Sequence, residues 1–416
     1  MGHIGVSPVD LVSASATANP DRFDGGVGRA MRVATPLLSV IMPVHNGTKV
    51  LPASLGALTA SDVPRDLWEL IVVDDASTDD SPGVAAERAD TVVRLTGRPH
   101  GPSYARNRGA EVARGHVLVF IDADVCVHPG TLRRFAWAFA DDPDVAALFG
   151  SYDDRPTAPG LVSQYRNLLH HYVHQINAGE AETFWAGCGA IRRSVFVDVG
   201  MYNEWHFSRP QIEDIELGHR LRERGYRIRL RPEIQGTHLK SWTLSTVLSA
   251  DLKDRGVPWT RLLIQRGQIG ESQTLNLRPI ERICTAAIWL ALIPASVAIW
   301  SRDLRWLGLS VLLIAGVLIA NAPLYRFFRR ARGLAFTIAV MPMHLAYYIL
   351  NGFSVMIALV LQHVVGDPQP APAVQAFAER GVVKWPPVPK QTEDVKTRRA
   401  VDPTGSRGRS ARDRVS

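Results

Sequence analysis

The chain has 416 residues, 46% hydrophobic and 21% charged, with a formal net charge of +7, the balance of a globular protein with room for one large domain plus accessory parts or for two domains. The excess base sits in the last stretch and beside apolar segments rather than as a stripe on the folded part, which argues against a nucleic-acid partner. Cys126, Cys188 and Cys284 have neither metal nor redox spacing and give no disulfide framework, so the domain is expected in a reducing compartment.

Residues 1–35 lack the basic start and continuous apolar core of a secretory signal and read as a flexible tail. Residues 37–44 are a nearly continuous apolar run stopped by His45-Asn46-Gly47, as a buried parallel strand meeting a loop would be. A helix is expected at about 50–59. A second strand, 68–73, stops at Asp74-Asp75. After a helix near 83–88, residues 91–95 make a third strand. A helix near 104–114 then leads into a fourth, 117–121, ending at Asp122. Strands alternating with helices predict a doubly wound α/β sheet, and ligands bind such sheets beyond the carboxyl ends of the strands. Three of these ends carry polar residues: His45-Asn46, Asp74-Asp75, and Asp122 with Asp124.

The pattern is less regular beyond this point. Helices are expected over 160–176 and 212–224, with a Gly-rich apolar stretch at 184–191 and a strand at 226–230. Residues 36–240 then form one domain. In a linker, 241–282, apolar residues recur at helical spacing with Trp242 and Trp259; a helix on a membrane surface and an ordinary packing helix both fit. Three apolar segments follow, 283–300, 306–324 and 334–361, each near or above bilayer-spanning length and free of internal charge. Five residues, 301–305, join the first two as a tight hairpin. The basic loop 326–332 is expected in the cytoplasm, which puts the preceding domain there too, in a multi-pass protein of the inner membrane. Residues 362–416, rich in Pro, Arg, Lys and Ser, read as a disordered basic tail.

Two aspartates separated by one residue, on a loop leaving a strand, can address a metal and a ribose together. A nucleotide-sugar diphosphate needs such a cation, because charge develops on the leaving group. Alone, Asp122-Ala123-Asp124 is a common triplet; its weight comes from following five apolar residues at the same sheet edge as two other polar strand ends. At Asp74-Asp75 one carboxylate is expected to meet the base or ribose while Ser77 or Thr78 caps the next helix. Three acids in four positions, Glu213, Asp214 and Glu216, open the later helix. That is more than capping needs, and Asp214 is the candidate general base with the glutamates supporting or capping. Cys188 has no visibly paired histidine and reads as packing. Trp185 fits a sugar face, a lid or the core.

The runs SVIMPVHN, VVDDASTDDS, GPSYARNRGAEVARGHVLVFIDADV, GCGAIRRSVFVDVGMYNE and IEDIELGHRLRERGYRI, in this order over about 37–238, closely resemble the family 2 glycosyltransferases of GT-A fold. The resemblance implies a nucleoside-diphosphate sugar donor, a UDP-sugar being favoured, with Mg²⁺ or Mn²⁺, and inversion by direct displacement. It places Pro43 and His45 in the base pocket, Asp75 at the base and Arg106 near the nucleotide. It assigns Asp122 and Asp124 to the metal and Asp214 to the proton transfer. Asp74, Trp185 and Glu213 join the donor-binding set. His238 is placed to reach the metal, a structural role being the alternative. His45 stands where relatives often carry Tyr or Phe. Asp254-Arg255-Gly256-Val257-Pro258-Trp259 lacks the Q-x-x-R-W pattern of processive synthases, which argues for one sugar per encounter onto a lipid or saccharide acceptor. A polysaccharide synthase, a transferase loading polyprenyl phosphate, and a non-catalytic nucleotide sensor on a membrane anchor are the alternatives.

Overall fold

The computed structural model describes residues 37–269, 275 and 278–368. The expected N-terminal tail lies outside them, as do parts of the linker and nearly all of the basic tail.

Strands β1 (Leu38–Val44), β2 (Trp68–Asp75), β3 (Thr91–Leu95) and β4 (Val117–Ile121) are parallel, in spatial order β3-β2-β1-β4. Helices α1 (Leu51–Thr59), α2 (Ser81–Ala86) and α3 (Pro102–Val112) connect them. Their near-continuous apolar character follows from burial on both faces. Val40 and Met42 enter one apolar cluster with Leu51 and Leu55 of α1, while Ile41, Ile71 and Phe120 enter a second with Ala105 of α3.

Beyond β4 the α/β sheet becomes mixed, in the half where the sequence pattern is less regular. Strand β5 (Val125–Val127) is followed by α4 (Thr131–Asp141) and β6 (Val145–Tyr152), a helix and strand absent from the sequence reading. Next come α5 (Leu161–Ile176), β7 (Gly179–Ala181), β8 (Cys188–Arg192), α6 (Arg193–Asp198), α7 (Glu213–Glu223) and β9 (Arg227–His238). The sheet continues β4-β8-β6-β9-β5, and β8 runs antiparallel to both β4 and β6. The glycines of the 184–191 stretch allow this. A Cβ on Gly189 would lie 2.3 Å from the Trp185 carbonyl oxygen. On the neighbouring helix, a Cβ on Gly218 would lie 2.3 Å from the Phe184 backbone nitrogen, so α7 is drawn against the chain entering β8. Strand β9 runs well past the expected 226–230, and its last residue, His238, pairs with Val125 just beyond the Asp122–Asp124 turn.

After β9 come α8 (Leu244–Ser249), a π-helical turn (Ala250–Gly256), α9 (Val257–Gln265), α10 (Pro279–Ser301), α11 (Arg305–Ala320) and α12 (Ala322–Val365). Among the described residues, α10 and α12 are long and apolar enough to cross a bilayer. Helix α11 has 16 residues, about 24 Å at 1.5 Å per residue, short of a ~30 Å hydrocarbon core. The second apolar segment therefore ends earlier than the expected 324. Leu324, Tyr325 and Phe328 pack instead with Tyr165, Leu168 and Leu169 of α5. The basic stretch expected as a loop is helical, and α12 breaks at Gly333, whose φ of +86° only glycine adopts readily. A spacing pattern records that residues are apolar; it does not record whether protein or lipid covers them.

Candidate active site

The carboxyl ends of β1, β2 and β4, the N-terminus of α7 and the end of β9 surround one cleft. Arg106 of α3 ties two of its walls together. Its Nη2 donates to Asp122 Oδ1 at 2.7 Å and its Nη1 to Glu213 Oε1 at 3.0 Å, with the guanidinium 5.5 Å over the Tyr202 ring. Burial opposes the charge on Arg106, but Asp122, Tyr202 and Glu213 more than offset it, so the group stays ionised. Its side chain is 5% exposed and its contacts are to Asp122 and Glu213. The expectation that Glu213 meets the donor also changes, because its other oxygen accepts from the Gln211 backbone nitrogen at 2.8 Å.

Asp214, next along α7, faces differently. Oδ2 accepts from the Ala186 backbone nitrogen at 3.2 Å and Oδ1 from that of Ile215 at 2.8 Å, which fixes the carboxylate while leaving it half-buried. Burial, then the Glu213 charge, raises its pKa to about 7. A carboxylate poised there can hold or release a proton near neutral pH, the property a general base needs.

Asp124 faces His238. Its Oδ2 lies 3.4 Å from His238 Nε2, and burial of Asp124 is outweighed by that histidine and by Lys240, holding the carboxyl below its usual range. His238 Nδ1–H donates to Asn167 Oδ1 at 2.7 Å, and the ring stacks on Tyr152, centroids 4.1 Å apart. With Nδ1 carrying the proton, a neutral imidazole turns an acceptor, Nε2, toward an acceptor oxygen. Only a proton or a cation reconciles the two. Asp122 keeps Oδ2 outside the Arg106 contact. Among the described residues no group of three or more His, Cys, Asp or Glu side chains gathers round one point. The donor set is that of a cation held partly by protein and partly by substrate oxygens, and the residues present fit it. Asn167 and Tyr152, which orient His238, were not found from sequence: they lie on α5 and β6, with no spacing relation to the acidic motifs.

The β2 end is used differently from the β4 end. Asp75 accepts from the His100 and Gly101 backbone nitrogens at 2.8 and 2.7 Å, and Asp74 accepts from the Ser77 backbone nitrogen at 3.3 Å. Asp75, expected at the base itself, thus holds the loop leading into α3. Ser77 and Thr78, expected as helix caps, bond Asn46 instead. The exposed His45 ring is fixed by Nδ1–H donating to the Asp75 carbonyl at 2.8 Å, beside the half-buried Pro43. Trp185 packs edge-on against Tyr152 at 4.8 Å and against His170 and His174, closing the floor of the cleft. Cys188 is buried beneath it, and burial followed by the Asp122 charge pushes its thiol far up, which removes it as a nucleophile.

Residues 39–200 match the sequence profile of Glycosyl transferase family 2. Those residues form a glycosyltransferase family 2 domain. Its sheet is mixed and Rossmann-like in its first half. The transferase is 23% identical over 296 residues to glycosyltransferase AglE of Haloferax volcanii, covering 68% of this chain and 89% of that protein. It is 34% identical over 155 residues to the O-antigen biosynthesis protein RfbC of Myxococcus xanthus, covering 35% of this chain but 12% of that one. Among solved structures, the mannosyltransferase PcManGT of Pyrobaculum calidifontis, in complex with GDP-Man and Mn²⁺, is similar at a TM-score of 0.46 and 20% identity, covering 77% of this chain and 87% of that one. Residues 1–349 of S. aureus TarS with UDP-GlcNAc are similar at 0.42 and 17%, covering 79% and 92%.

Proposed function

We propose that the transferase moves one sugar per encounter from a nucleoside-diphosphate sugar, a UDP-sugar being favoured, to a hydroxyl of a lipid or saccharide acceptor, with inversion, at the cytoplasmic face of the inner membrane. The observation that carries this reading is Asp214: a fixed carboxylate with a pKa near 7, beside the cleft where Asp122, Asp124 and His238 converge. In this mechanism the acceptor hydroxyl gives its proton to Asp214 as its oxygen bonds to the anomeric carbon. The bond from that carbon to the diphosphate oxygen breaks on the opposite face, and the nucleoside diphosphate leaves with the electron pair. Arg106 holds Asp122 in register with α7, so donor and base keep their separation. Asp124, His238 and Asp122 would hold Mg²⁺ or Mn²⁺, which supplies neutralising charge to the leaving diphosphate. His45 and Pro43 line the base pocket, with Asp74 and Asp75 shaping it from behind. Trp185 bounds the sugar side.

The domain limits belong to the same proposal: a transferase domain over 36–240, a linker over 241–282 and a membrane region over 283–361. Helices α10 and α12 support the membrane attachment, and Arg326, Arg329, Arg330 and Arg332 in the part of α12 before its break at Gly333 support the cytoplasmic orientation. The test is a screen of nucleotide-sugars against the purified full chain, with and without Mg²⁺ or Mn²⁺. Cation-dependent binding or hydrolysis of a donor is expected; if no donor binds with either ion, the proposal fails. Product length on a competent acceptor decides between single addition and polymer synthesis.

A further inference from the structure

A second cavity lies outside the transfer cleft, at the far end of α5 from Asn167. About 480 Å³ in volume, it lies between the end of α5 and the first turns of α12. His171, Tyr172 and Ile176 form one wall; Phe327, Arg326 and Arg330 form the other. Phe327 stacks on His171, centroids 5.6 Å apart, and lies 5.4 Å from Tyr172, so the floor is aromatic and rigid. The two arginines stand four residues apart and therefore on one face of the helix. Both are exposed, and among the described residues no carboxylate lies within ion-pair distance of either. A smaller cavity of about 160 Å³ shares Tyr172, Ile176 and Pro323 with the first. It continues toward Leu324, Ile280 and Tyr347 at the base of the apolar helices, where Arg278, Glu281, Asn321 and His344 also line it and end the apolar stretch.

The chemistry of the space is thus split along its length. Two guanidinium forks at the mouth match a phosphate, because each presents parallel N–H donors to its oxygens. The aromatic and aliphatic floor behind them matches a hydrocarbon chain, which leaves water on contact with it. A soluble phosphate would use the mouth and leave the floor unused. A neutral lipid would use the floor and leave two cations without an anion. The geometry points to a binding site for an anionic phospholipid, with its phosphate between Arg326 and Arg330 and an acyl chain laid over Tyr172 and Ile176 toward Leu324. This inference rests on the membrane attachment proposed above. It extends that reading by giving the lipid a place against α5, the helix that one turn before His171 carries Asn167 and, through it, His238. Lipid occupancy here would brace α5 against α12 and so steady the metal-facing side of the cleft.

The experiment uses the full chain purified in a neutral detergent, with its melting temperature followed on titration with phosphatidylglycerol, phosphatidylcholine or inorganic phosphate. Phosphatidylglycerol is expected to raise Tm in a saturable manner, and the other two to leave it unchanged. R326Q/R330Q should lose that shift, while Arg329→Gln, one less cation on the same helix but outside the cavity, should keep it. If R326Q/R330Q melts too low to read, R326K/R330K replaces it, and it should need a higher lipid concentration for half the shift because the forked geometry is gone. An equal shift with phosphatidylcholine overturns the inference, as does an equal shift with inorganic phosphate or a full shift in R326Q/R330Q. Alkaline extraction of membranes separates the two levels of the argument. Release of the chain into solution overturns the membrane reading and this site with it. A chain that stays in the pellet but shows no phosphatidylglycerol preference overturns this site alone.

Discussion

Two pairs of aspartates sit at the ends of the two apolar strands that flank β1 in one sheet, and their sequences look alike: Asp74-Asp75 closing β2, Asp122 and Asp124 after β4. The fold uses them in opposite ways. The Asp75 side chain is 7% exposed and spends both oxygens on backbone N–H groups of the next loop. Asp122 and Asp124 are 34% and 31% exposed, and each makes one side-chain contact, to Arg106 and His238. An acid at a strand end can build a loop or hold a ligand, and what separates the two is how many protein donors reach it. The loop entering α3 reaches Asp75. Among the described residues the side-chain partners of Asp122 and Asp124 are one each, Arg106 and His238, and that leaves oxygen capacity for substrate.

Four measurements would break or sharpen this contrast. The largest effect is expected from Asp214→Asn, which should lower transfer by about 10²–10⁴-fold while donor affinity stays within a few-fold; a matching loss of donor binding would put Asp214 in the donor site instead. Next, Asp124→Ala should weaken Mn²⁺-dependent donor binding by about 100-fold, and Asn167→Ala, which frees the His238 ring, by about 10–100-fold. A calorimetric titration with and without Mn²⁺ reads both, and an unchanged cation dependence in Asp124→Ala would remove it from the metal.

The third measurement is a pH profile. With Asp214 ionising near 7, kcat/KM should rise about tenfold per pH unit below 7 and level off above it. The sign carries over to stability. A folded-state pKa above the unfolded value of 3.8 means that ionising Asp214 costs stability, and this penalty accrues as pH rises from about 4 to 7. Asp214→Asn should therefore raise Tm more at pH 8 than at pH 5, and an increment independent of pH would refute the shift. The smallest effect belongs to Asp75→Ala. Loss of its charge-assisted hydrogen bonds should cost about 1.5–3 kcal/mol in denaturant unfolding and leave the Mn²⁺ dependence of donor binding in place. A lost cation dependence there would erase the distinction between the two strand ends.

Much of the first half was legible because local signals suffice there. Buried parallel strands must be apolar along their length, and β1, β2 and β4 each end abruptly at a polar residue. The antiparallel β8 was not legible: its direction depends on glycines that let two backbones meet, and a Gly-Cys-Gly run looks the same whichever way the strand enters. Helix α4 and strand β6 were passed over although their apolar residues are buried, since the pattern there follows no motif. The later roles of Arg106 and Glu213 were read as contacts with the donor; their burial against each other could be seen only once α3 and α7 were brought together.

The sequence by itself determined the chemistry on offer: which strands end in acids, that one helix begins with three of them, and that long apolar segments follow the domain. Each is a property of residues close in the chain, where spacing alone sets which side chains share a face. Only the tertiary structure decided which acids remain open. His238 reaches Asp124 because β9 runs twelve residues to pair beside it. Asn167 fixes that ring from 71 positions away, and Arg106 bridges Asp122 to a helix 107 positions further on. The open or occupied state of a carboxylate is set by partners distant in sequence, and no local pattern encodes them.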